Sequence, residues 1–184
     1  MPWRDRLAHV QLLILDVDGV LTDGTLHYSA DGETIKLFNV KDGLGIRLCQ
    51  HHGIDVAIIT ARDSAPLTRR VKDLGIQYFF PASGDKLAVF QQLLTTLRLS
   101  PEHAAYAGDD MLDLPVMEKS GLSISVADGY SLVQEHADWV TKAAGGKGAV
   151  REICDALVAA RLPLEQAYAE LLTSDTERHR LTKA

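Results

Sequence analysis

Two aspartates, Asp16 and Asp18, end an apolar run that begins at Leu12 and that Gly19 follows at once. A continuous apolar run bounded by glycine is typical of a strand covered on both faces, and ligands of parallel sheets gather at the carboxyl ends of such strands. Carboxylates this close raise each other's pKa, so they either share a proton or bind a hard divalent cation. The residue types therefore predict a proton or metal site at a strand end.

An aspartate at a strand end suits nucleophilic attack on phosphorus when a cation neutralises the phosphate, as in enzymes that form an aspartyl-phosphate. Asp16 is placed for that role. Asp18 points the same way along an extended chain and is suited to protonate the departing alkoxide and then to activate water. Because an isolated Asp-x-Asp-Gly tetrapeptide is more often a turn, this interpretation depends on further residues.

Three later segments supply the other groups that phosphoryl transfer needs. Thr60 ends the second apolar run, where its hydroxyl and nearby backbone amides suit a phosphate oxygen. Lys86 opens the helix after the third run, where its ammonium offsets the carboxylates. The fourth run ends in Gly108-Asp109-Asp110-Met111-Leu112-Asp113, which offers more oxygen ligands for a cation. Each residue alone also suits a helix terminus or a solvated surface, so their order along the chain is what favours chemistry.

Strands and helices that would position these groups alternate along the chain. Short apolar runs predict strands, helical patterns lie between most of them, and the alternation predicts an α/β fold with a doubly wound, mainly parallel sheet. The predicted strands are 12–17, 56–60, 77–81, 104–108, 122–126 and 139–141, and the predicted helices are 43–52, 64–74, 86–97, 111–119, 131–136 and 148–160.

Residues 23–42 break this alternation and indicate a β-hairpin inserted after the first strand, with its turn at 29–32. Two strands alone are marginal in water, and Ile35, Phe38 and Val40 would leave apolar surface uncovered. We therefore expect partner subunits to cover the hairpin. The segment 173–184 is polar and lacks an apolar period, which predicts a mobile C-terminal tail after a single domain that spans 1–172.

Composition is that of one ordinary globular domain, with 184 residues, 46% of them hydrophobic and 24% charged. A formal net charge of -6 gives no basic footprint, so we expect no nucleic-acid partner. The apolar stretches are too short for a membrane span, and the first residues lack the basic-then-apolar order of a signal peptide. We expect a cytoplasmic location and no membrane partner.

Taken in order, these residues resemble the four motifs of the haloacid dehalogenase (HAD) superfamily phosphatases. The resemblance covers residues 11 to 160 and implies a HAD/Rossmann-like fold. It implies that Asp16 is the nucleophile and Asp18 the general acid and base. The motifs are Asp16-Val17-Asp18-Gly19, Thr60, Lys86, and Gly108-Asp109-Asp110 with Asp113.

The same resemblance implies roles for the remaining motif residues. Thr60 and Lys86 would hold the phosphoryl group. A bound Mg²⁺ would take ligands from Asp16, from the backbone carbonyl of Asp18 and from Asp109. Asp110 and Asp113 would then support the site without coordinating the ion directly. Asp113 would contact the ion through a water molecule or would contact the residues that bind it.

Most members of that superfamily cover the site with a cap domain, whereas here the hairpin is the insertion and no separate cap domain is expected. Among capless members the chain is most similar to the 3-deoxy-D-manno-octulosonate (KDO) 8-phosphate phosphatases of lipopolysaccharide synthesis. Hydrolysis of that small sugar phosphate and a homotetramer assembled through the hairpin are what this resemblance implies. The residues that carry it are 16–24, 38–45, 105–113 and 145–152.

Selection of the sugar is expected to involve residues around the phosphate site. An arginine beside the phosphate threonine suits the carboxylate of an acid sugar, because its planar fork matches two oxygens. The loop 145–148 suits either phosphate binding through its amides or a turn before a helix. Ala61 stands where family members usually have glycine, so this loop is expected to differ slightly. The candidate residues are Asp42, Gly43, Arg62, Arg70 and Lys147.

Three other functions stay open at this stage. A phosphatase of another acid sugar, such as the 9-phosphate of KDN or of sialic acid, needs the same residues. A receiver-type signalling domain also uses a strand-end Asp, a Thr, a Lys and Mg²⁺, although Asp18 does not serve a long-lived phosphoryl-aspartate. An inactive homologue kept as a binding module would not require all four motif sites.

Overall fold

A parallel sheet forms the centre of residues 2–181, the part of the chain that the computed structural model describes. The strand order is β5-β4-β1-β6-β7-β8, and a separate antiparallel hairpin pairs β2 with β3. The predicted doubly wound, mainly parallel α/β fold with a hairpin insertion is confirmed. The strands are β1 (Leu12–Leu15), β2 (His27–Ser29), β3 (Gly32–Ile35), β4 (Asp55–Ile59), β5 (Tyr78–Phe80), β6 (Ala104–Gly108), β7 (Leu122–Ser125) and β8 (Trp139–Val140).

Helices cover both faces of this sheet. Side chains of a strand alternate between faces, so Leu13 and Leu15 of β1 pack on one side and Leu12 and Ile14 on the other. The first side is covered by α2, α3, α7 and α8, the second by α4, α5 and α6. The helices are α1 (Trp3–Arg6), α2 (Val40–His51), α3 (Ala65–Asp73), α4 (Lys86–Leu97), α5 (Leu114–Met117), α6 (Ser131–His136), α7 (Ala149–Ala159) and α8 (Leu164–Leu181).

The inserted hairpin is shorter than predicted. Helix α2 begins at Val40, because the side chain of Asn39 accepts the backbone N–H of Lys41 and caps the helix, so residues 40–42 are helical. Phe38 is half-buried against the core, which corrects the expectation that it would be uncovered. Ile35 and Val40 are exposed as predicted.

Helix α8 was not predicted. Ala167 and Leu171 bury their side chains in the core, and that short apolar pattern starts a helix that polar residues then continue. The helix includes 173–181, so this part of the predicted tail has regular structure, while 182–184 lie outside the described residues. Within 2–181, none of the helices combines the length and apolar character that crossing a membrane requires.

Candidate active site

The sheet register brings three predicted site segments to one edge. Leu15 is paired with Ile58 of β4 and with Ala107 of β6, and the N–H of Asp16 donates to the carbonyl of Ala107 at 3.0 Å. Asp16, Thr60 and Asp109 therefore follow adjacent strands at their carboxyl ends. This is where parallel sheets bind ligands.

Three carboxylates and one ammonium meet at this edge. Oxygens of Asp16, Asp109 and Asp113 all lie within 4.8 Å of one another. The Nζ of Lys86 lies 2.9 Å from Asp16 Oδ1 and 2.7 Å from Asp113 Oδ1. Lys86 is the first residue of α4. The side chain of Asp85 caps this helix by accepting the backbone N–H of Ala88 at 2.9 Å, and the cap therefore fixes the position of the Lys86 backbone.

Asp113 organises the loop that follows β6. Its Oδ1 also accepts the hydroxyl of buried Tyr106 at 2.7 Å, and its Oδ2 accepts the N–H groups of Asp109 and Asp110 at 3.1 and 3.3 Å. A Cβ on Gly108 would lie 2.4 Å from the Cβ of Asp113, so glycine is needed there for this approach. The carboxylate of Asp113 thus supports the loop rather than facing solvent, since it is 1% exposed.

Burial and like charge raise the pKa of two of these carboxyls. Burial first, and then the charge of Asp113, raise the pKa of Asp16 to about 7, although Lys86 opposes the change. Burial, followed by Asp16 and Asp113, raises the pKa of Asp109 to about 7 as well. Burial lowers the pKa of Lys86, but the two carboxylates beside it outweigh burial and raise it above its usual value. The cluster therefore holds more negative charge than its own ammonium neutralises.

These residues fit a hard divalent cation. Asp109 Oδ1 is buried and has no hydrogen-bond partner within the described residues. Gly19 has a φ of +97°, and a Cβ there would lie 2.0 Å from Asp109 Oδ2, so only glycine admits this carboxylate beside the Asp-x-Asp-Gly turn. Oxygen donors in a charged, partly buried cluster are the ligands that Mg²⁺ prefers.

The hairpin contributes charged side chains to Asp18. Lys36 donates to Asp18 Oδ1 and also lies 2.8 Å from Glu33 Oε1, and its side chain is 2% exposed. Arg62, after β4, places Nε 3.7 Å from Asp18 Oδ2 and a guanidinium nitrogen 2.6 Å from the hydroxyl of Tyr28. Asp18 is thus held between the hairpin and the loop after β4.

Thr60 lies at the end of β4, as predicted. Its side chain is buried, its carbonyl accepts the N–H of Ser83 at 2.9 Å, and its hydroxyl lies 3.4 Å from the N–H of Arg62. Ala61 adopts a negative φ, so alanine is accommodated there without left-handed strain. The loop after β4 therefore joins Thr60 directly to Arg62, which lies beside Asp18.

Asp42 lies in the first turn of α2 and is buried. Its carboxylate is 1% exposed at the junction of α2 and α7, and its Oδ1 accepts the N–H of Arg151 at 2.8 Å. This position favours a structural role over the predicted substrate contact. Gly43 faces Arg70, since a Cβ on Gly43 would lie 2.3 Å from an Arg70 nitrogen, and Arg70 also stacks over the ring of Phe38 at 5.8 Å.

The glycine-rich loop 145–148 packs against the turn after β1. Its backbone N–H groups are already used, because Gly145 donates to Asp128, Gly146 to Val20 and Lys147 to Ala144, at 2.8 to 3.0 Å. This arrangement favours the turn over a phosphate cradle made of backbone amides. The side chain of Lys147 is exposed and lies 3.3 Å from Asp23 Oδ2.

Sequence reasoning missed Lys36, Glu33 and Tyr106. Glu33 in β3 and Lys36 just after it are three residues apart and oppositely charged, which indicates an ion pair between them but does not reveal that Lys36 also contacts Asp18. Tyr106 is the one large side chain in the strand Ala-Ala-Tyr-Ala-Gly, and its buried hydroxyl required a polar acceptor.

Fold and site together define a class of protein, a phosphohydrolase of the haloacid dehalogenase type. A family model described as haloacid dehalogenase-like hydrolase matches residues 78–153. A 3-deoxy-D-manno-octulosonate 8-phosphate phosphatase from Escherichia coli K12 is 49% identical over 165 residues, covering 90% of this chain and 88% of the relative. On this identity, the chain belongs to the 3-deoxy-D-manno-octulosonate 8-phosphate phosphatase family of HAD-like hydrolases.

Solved structures give the same relationship. The crystal structure of the Yersinia pestis 3-deoxy-D-manno-octulosonate 8-phosphate phosphatase superposes with a TM-score of 0.87 at 46% identity, covering 89% of each chain. The Moraxella catarrhalis enzyme, determined in complex with magnesium ion, phosphate ion and KDO, gives a TM-score of 0.87 at 38% identity. That superposition covers 91% of this chain and 96% of the Moraxella chain.

Proposed function

We propose that the protein is a Mg²⁺-dependent phosphatase that hydrolyses KDO 8-phosphate to the free sugar and phosphate in lipopolysaccharide synthesis. Family membership at 49% identity supports this substrate. The observation that carries the chemistry is the cluster in which Lys86 contacts both Asp16 and Asp113, while Asp109 Oδ1 is buried with no hydrogen-bond partner among residues 2–181. That arrangement fits a nucleophile beside a cation site.

In the proposed reaction, a carboxylate oxygen of Asp16 attacks phosphorus and the bond from phosphorus to the C8 oxygen breaks. Asp18 donates its proton to that leaving oxygen, which gives the free sugar and an aspartyl-phosphate. Asp18, now ionised, takes a proton from a water molecule that attacks phosphorus, and inorganic phosphate leaves with Asp16 restored. Lys86 keeps Asp16 oriented throughout and offsets its charge.

Mg²⁺, when bound, would neutralise phosphate oxygens and so favour attack by an anion. We propose that Asp16, the backbone carbonyl of Asp18 and Asp109 hold it. Asp113 would not bind the ion directly. It would position Lys86 through their ion pair, and it would position the loop after β6 by accepting hydrogen bonds from the backbone N–H groups of Asp109 and Asp110. Thr60 would donate its hydroxyl to the phosphoryl group. Asp110 would shape the loop, since its N–H donates to Asp113.

Selection of an acid sugar is proposed for Arg62 and Arg70. Arg62 lies beside Asp18, the residue that would protonate the leaving sugar oxygen, so its guanidinium is within reach of the substrate. A bidentate pair with the sugar carboxylate would then discriminate against neutral sugar phosphates. Arg70 beside Gly43, and Lys147 beside Asp23, stay proposed contacts on the rim.

Phosphate release from KDO 8-phosphate with Mg²⁺ tests the function. We expect turnover that Asp16→Asn abolishes, whereas stable labelling without turnover would support a receiver-type domain. Arg62→Glu should lower kcat/KM by about 100-fold, the equivalent of one charge-assisted bidentate contact. The control is Arg69→Glu, an exposed arginine of α3 that pairs with Asp73. Faster turnover of a nonulosonate 9-phosphate than of the octulosonate would reassign the sugar.

We also propose a cytoplasmic homotetramer assembled through the hairpin. The hairpin and the start of α2 expose apolar side chains, among them Tyr28 at 64%, Ile35 at 56% and Val40 at 79%. An apolar patch of this kind is typical of an interaction surface.

Light scattering after size-exclusion chromatography should give four chains for wild type and fewer for Ile35→Lys. Leu132→Lys, at an exposed leucine of α6, is the control. A wild-type monomer would contradict the proposal.

A further inference from the structure

We propose that His51, His52 and Glu170 form a second metal site, which takes Zn²⁺ or a similar transition-metal ion where α2 meets α8. One ligand atom from each side chain lies within 4.8 Å of the other two. The chain enters β4 at Asp55, soon after His52, so the cluster is at the amino-terminal edge of the sheet. The acidic cluster lies at the opposite edge, and the two sites are separate.

A hydrogen bond to the backbone fixes the ring of His52. Its Nε2 lies 3.1 Å from the carbonyl oxygen of Ala167 on α8. A carbonyl only accepts, so Nε2 must carry the hydrogen, and in the neutral imidazole Nδ1 then holds the free lone pair. That Nδ1 lies 3.9 Å from Glu170 Oε2. Metal-ligating histidines typically have this arrangement, in which the second nitrogen donates to a carbonyl.

Glu170 is oriented in a similar way. Gln166, one turn earlier on α8, donates its side-chain N–H to Glu170 Oε1 at 2.8 Å. The other oxygen, Oε2, is the one directed towards His52. His51 is the last residue of α2, and its ring makes an edge contact with His52 at 4.8 Å between centroids. Two of the three ligands are therefore held by neighbours that leave one donor atom free.

Two imidazoles and one carboxylate are a zinc donor set that leaves a fourth position for water. Bonds of about 2.0 to 2.2 Å in a tetrahedron place ligand atoms about 3.4 Å apart, so the ligand atoms must close by at most about 1.4 Å from separations within 4.8 Å. Glu170 has an exposed side chain and can move by rotamer change. The nitrogen donors distinguish this cluster from the all-oxygen site, which Mg²⁺ prefers. The competing explanation is a plain ion pair between protonated His52 and Glu170.

Zinc titration of the full-length, tag-free chain tests the proposal. The protein is stripped with chelator and then kept in excess Mg²⁺, which occupies oxygen sites but competes poorly for imidazole. A chromogenic chelator then reports free Zn²⁺. We expect one Zn²⁺ per chain, and an affinity at least about tenfold weaker in His52→Gln and in Glu170→Gln. The matched control is His103→Gln, because His103 Nε2 lies 3.6 Å from Glu102 in a separate His–Glu pair.

Two results would overturn the site. One is that wild type takes up no Zn²⁺ in the presence of Mg²⁺, and the other is that His52→Gln and Glu170→Gln bind as tightly as wild type. Circular dichroism checks folding, and Glu170→Gln keeps the proposal falsifiable if His52→Gln fails to fold, because it alters an exposed carboxylate. Binding should also raise Tm in wild type but not in Glu170→Gln. Phosphatase activity is not the readout, so failure here leaves the proposed function untouched.

Discussion

Replacing Asp109 with asparagine should stabilise the metal-free protein at pH 8 while removing Mg²⁺-dependent activity. Burial and two neighbouring carboxylates raise the pKa of Asp109 from 3.8 to about 7. The folded state therefore favours the neutral acid, whereas the unfolded chain releases the proton near pH 4. Stability from this group is present below about pH 4 and is lost as the pH rises towards 7.

The magnitude follows from the size of that rise. Each whole step of pKa corresponds to about 1.4 kcal/mol, so a rise from 3.8 to about 7 corresponds to at most about 4 kcal/mol above pH 7. Asp109 is partly open to water, and screening lowers the expected value to about 2 kcal/mol. Asparagine carries no charge, and Asp109 Oδ1 has no hydrogen-bond partner among the described residues for the change to break. For a chain of this length, about 2 kcal/mol raises Tm by about 4 to 8 °C.

Thermal unfolding by circular dichroism in chelator, at pH 8 and at pH 5, measures the effect. The gain of Asp109→Asn should shrink to about a third at pH 5, because the folded acid is then protonated. Mg²⁺ should raise the Tm of wild type at pH 8 and leave the variant unchanged. Asp110→Asn, at the exposed neighbour, is the control and should change little. A variant less stable than wild type at pH 8, or a gain equal at both pH values, would refute this reasoning.

Three further changes test how the site is supported. Gly19→Ala should abolish activity, because the new Cβ meets Asp109 Oδ2 and the φ of +97° adds strain; turnover near the wild-type rate would contradict this. Tyr106→Phe should lower the free energy of unfolding by about 2 kcal/mol in denaturant titrations, since Asp113 loses a buried donor; an unchanged midpoint would count against that contact. Asp85→Ala should cost about 1 kcal/mol in the same titration by uncapping α4, whereas Asp85→Asn should cost less.

The sequence was sufficient to predict where the acidic cluster forms. Apolar runs set the strands, and parallel strands end at a common edge, so Asp16, Thr60 and Asp109 had to lie near one another. The order of the motifs then placed Lys86 at the start of the helix that follows β5, where its ammonium reaches Asp16. The apolar pattern and the strand topology are enough to predict the position of this cluster, because neither of them depends on the direction in which a particular side chain points.

Contacts of the hairpin could not be predicted in the same way. Lys36 lies just beyond β3 and reaches Asp18 across 18 residues, and the register of β3 with β2 shifts between His27 and Tyr28. A shift of one residue in a strand moves every side chain to the other face, so the pattern alone does not give this pair. The burial of Asp42 could not be predicted for a related reason, since it depends on how α2 packs on α7.

The balance of charge around Lys86 explains why three carboxylates lie together although their repulsion lowers the stability of the metal-free protein. Asp18 already has Lys36 and Arg62 as partners, whereas three carboxylates, those of Asp16, Asp109 and Asp113, face the ammonium of Lys86. When ionised, that group carries two negative charges in excess, which one divalent cation neutralises. Burial first, and then this excess of like charge, raise the pKa values of Asp16 and Asp109 in the metal-free protein. The same imbalance that weakens the empty site therefore gives it affinity for Mg²⁺, and removing one carboxylate must reverse both properties together.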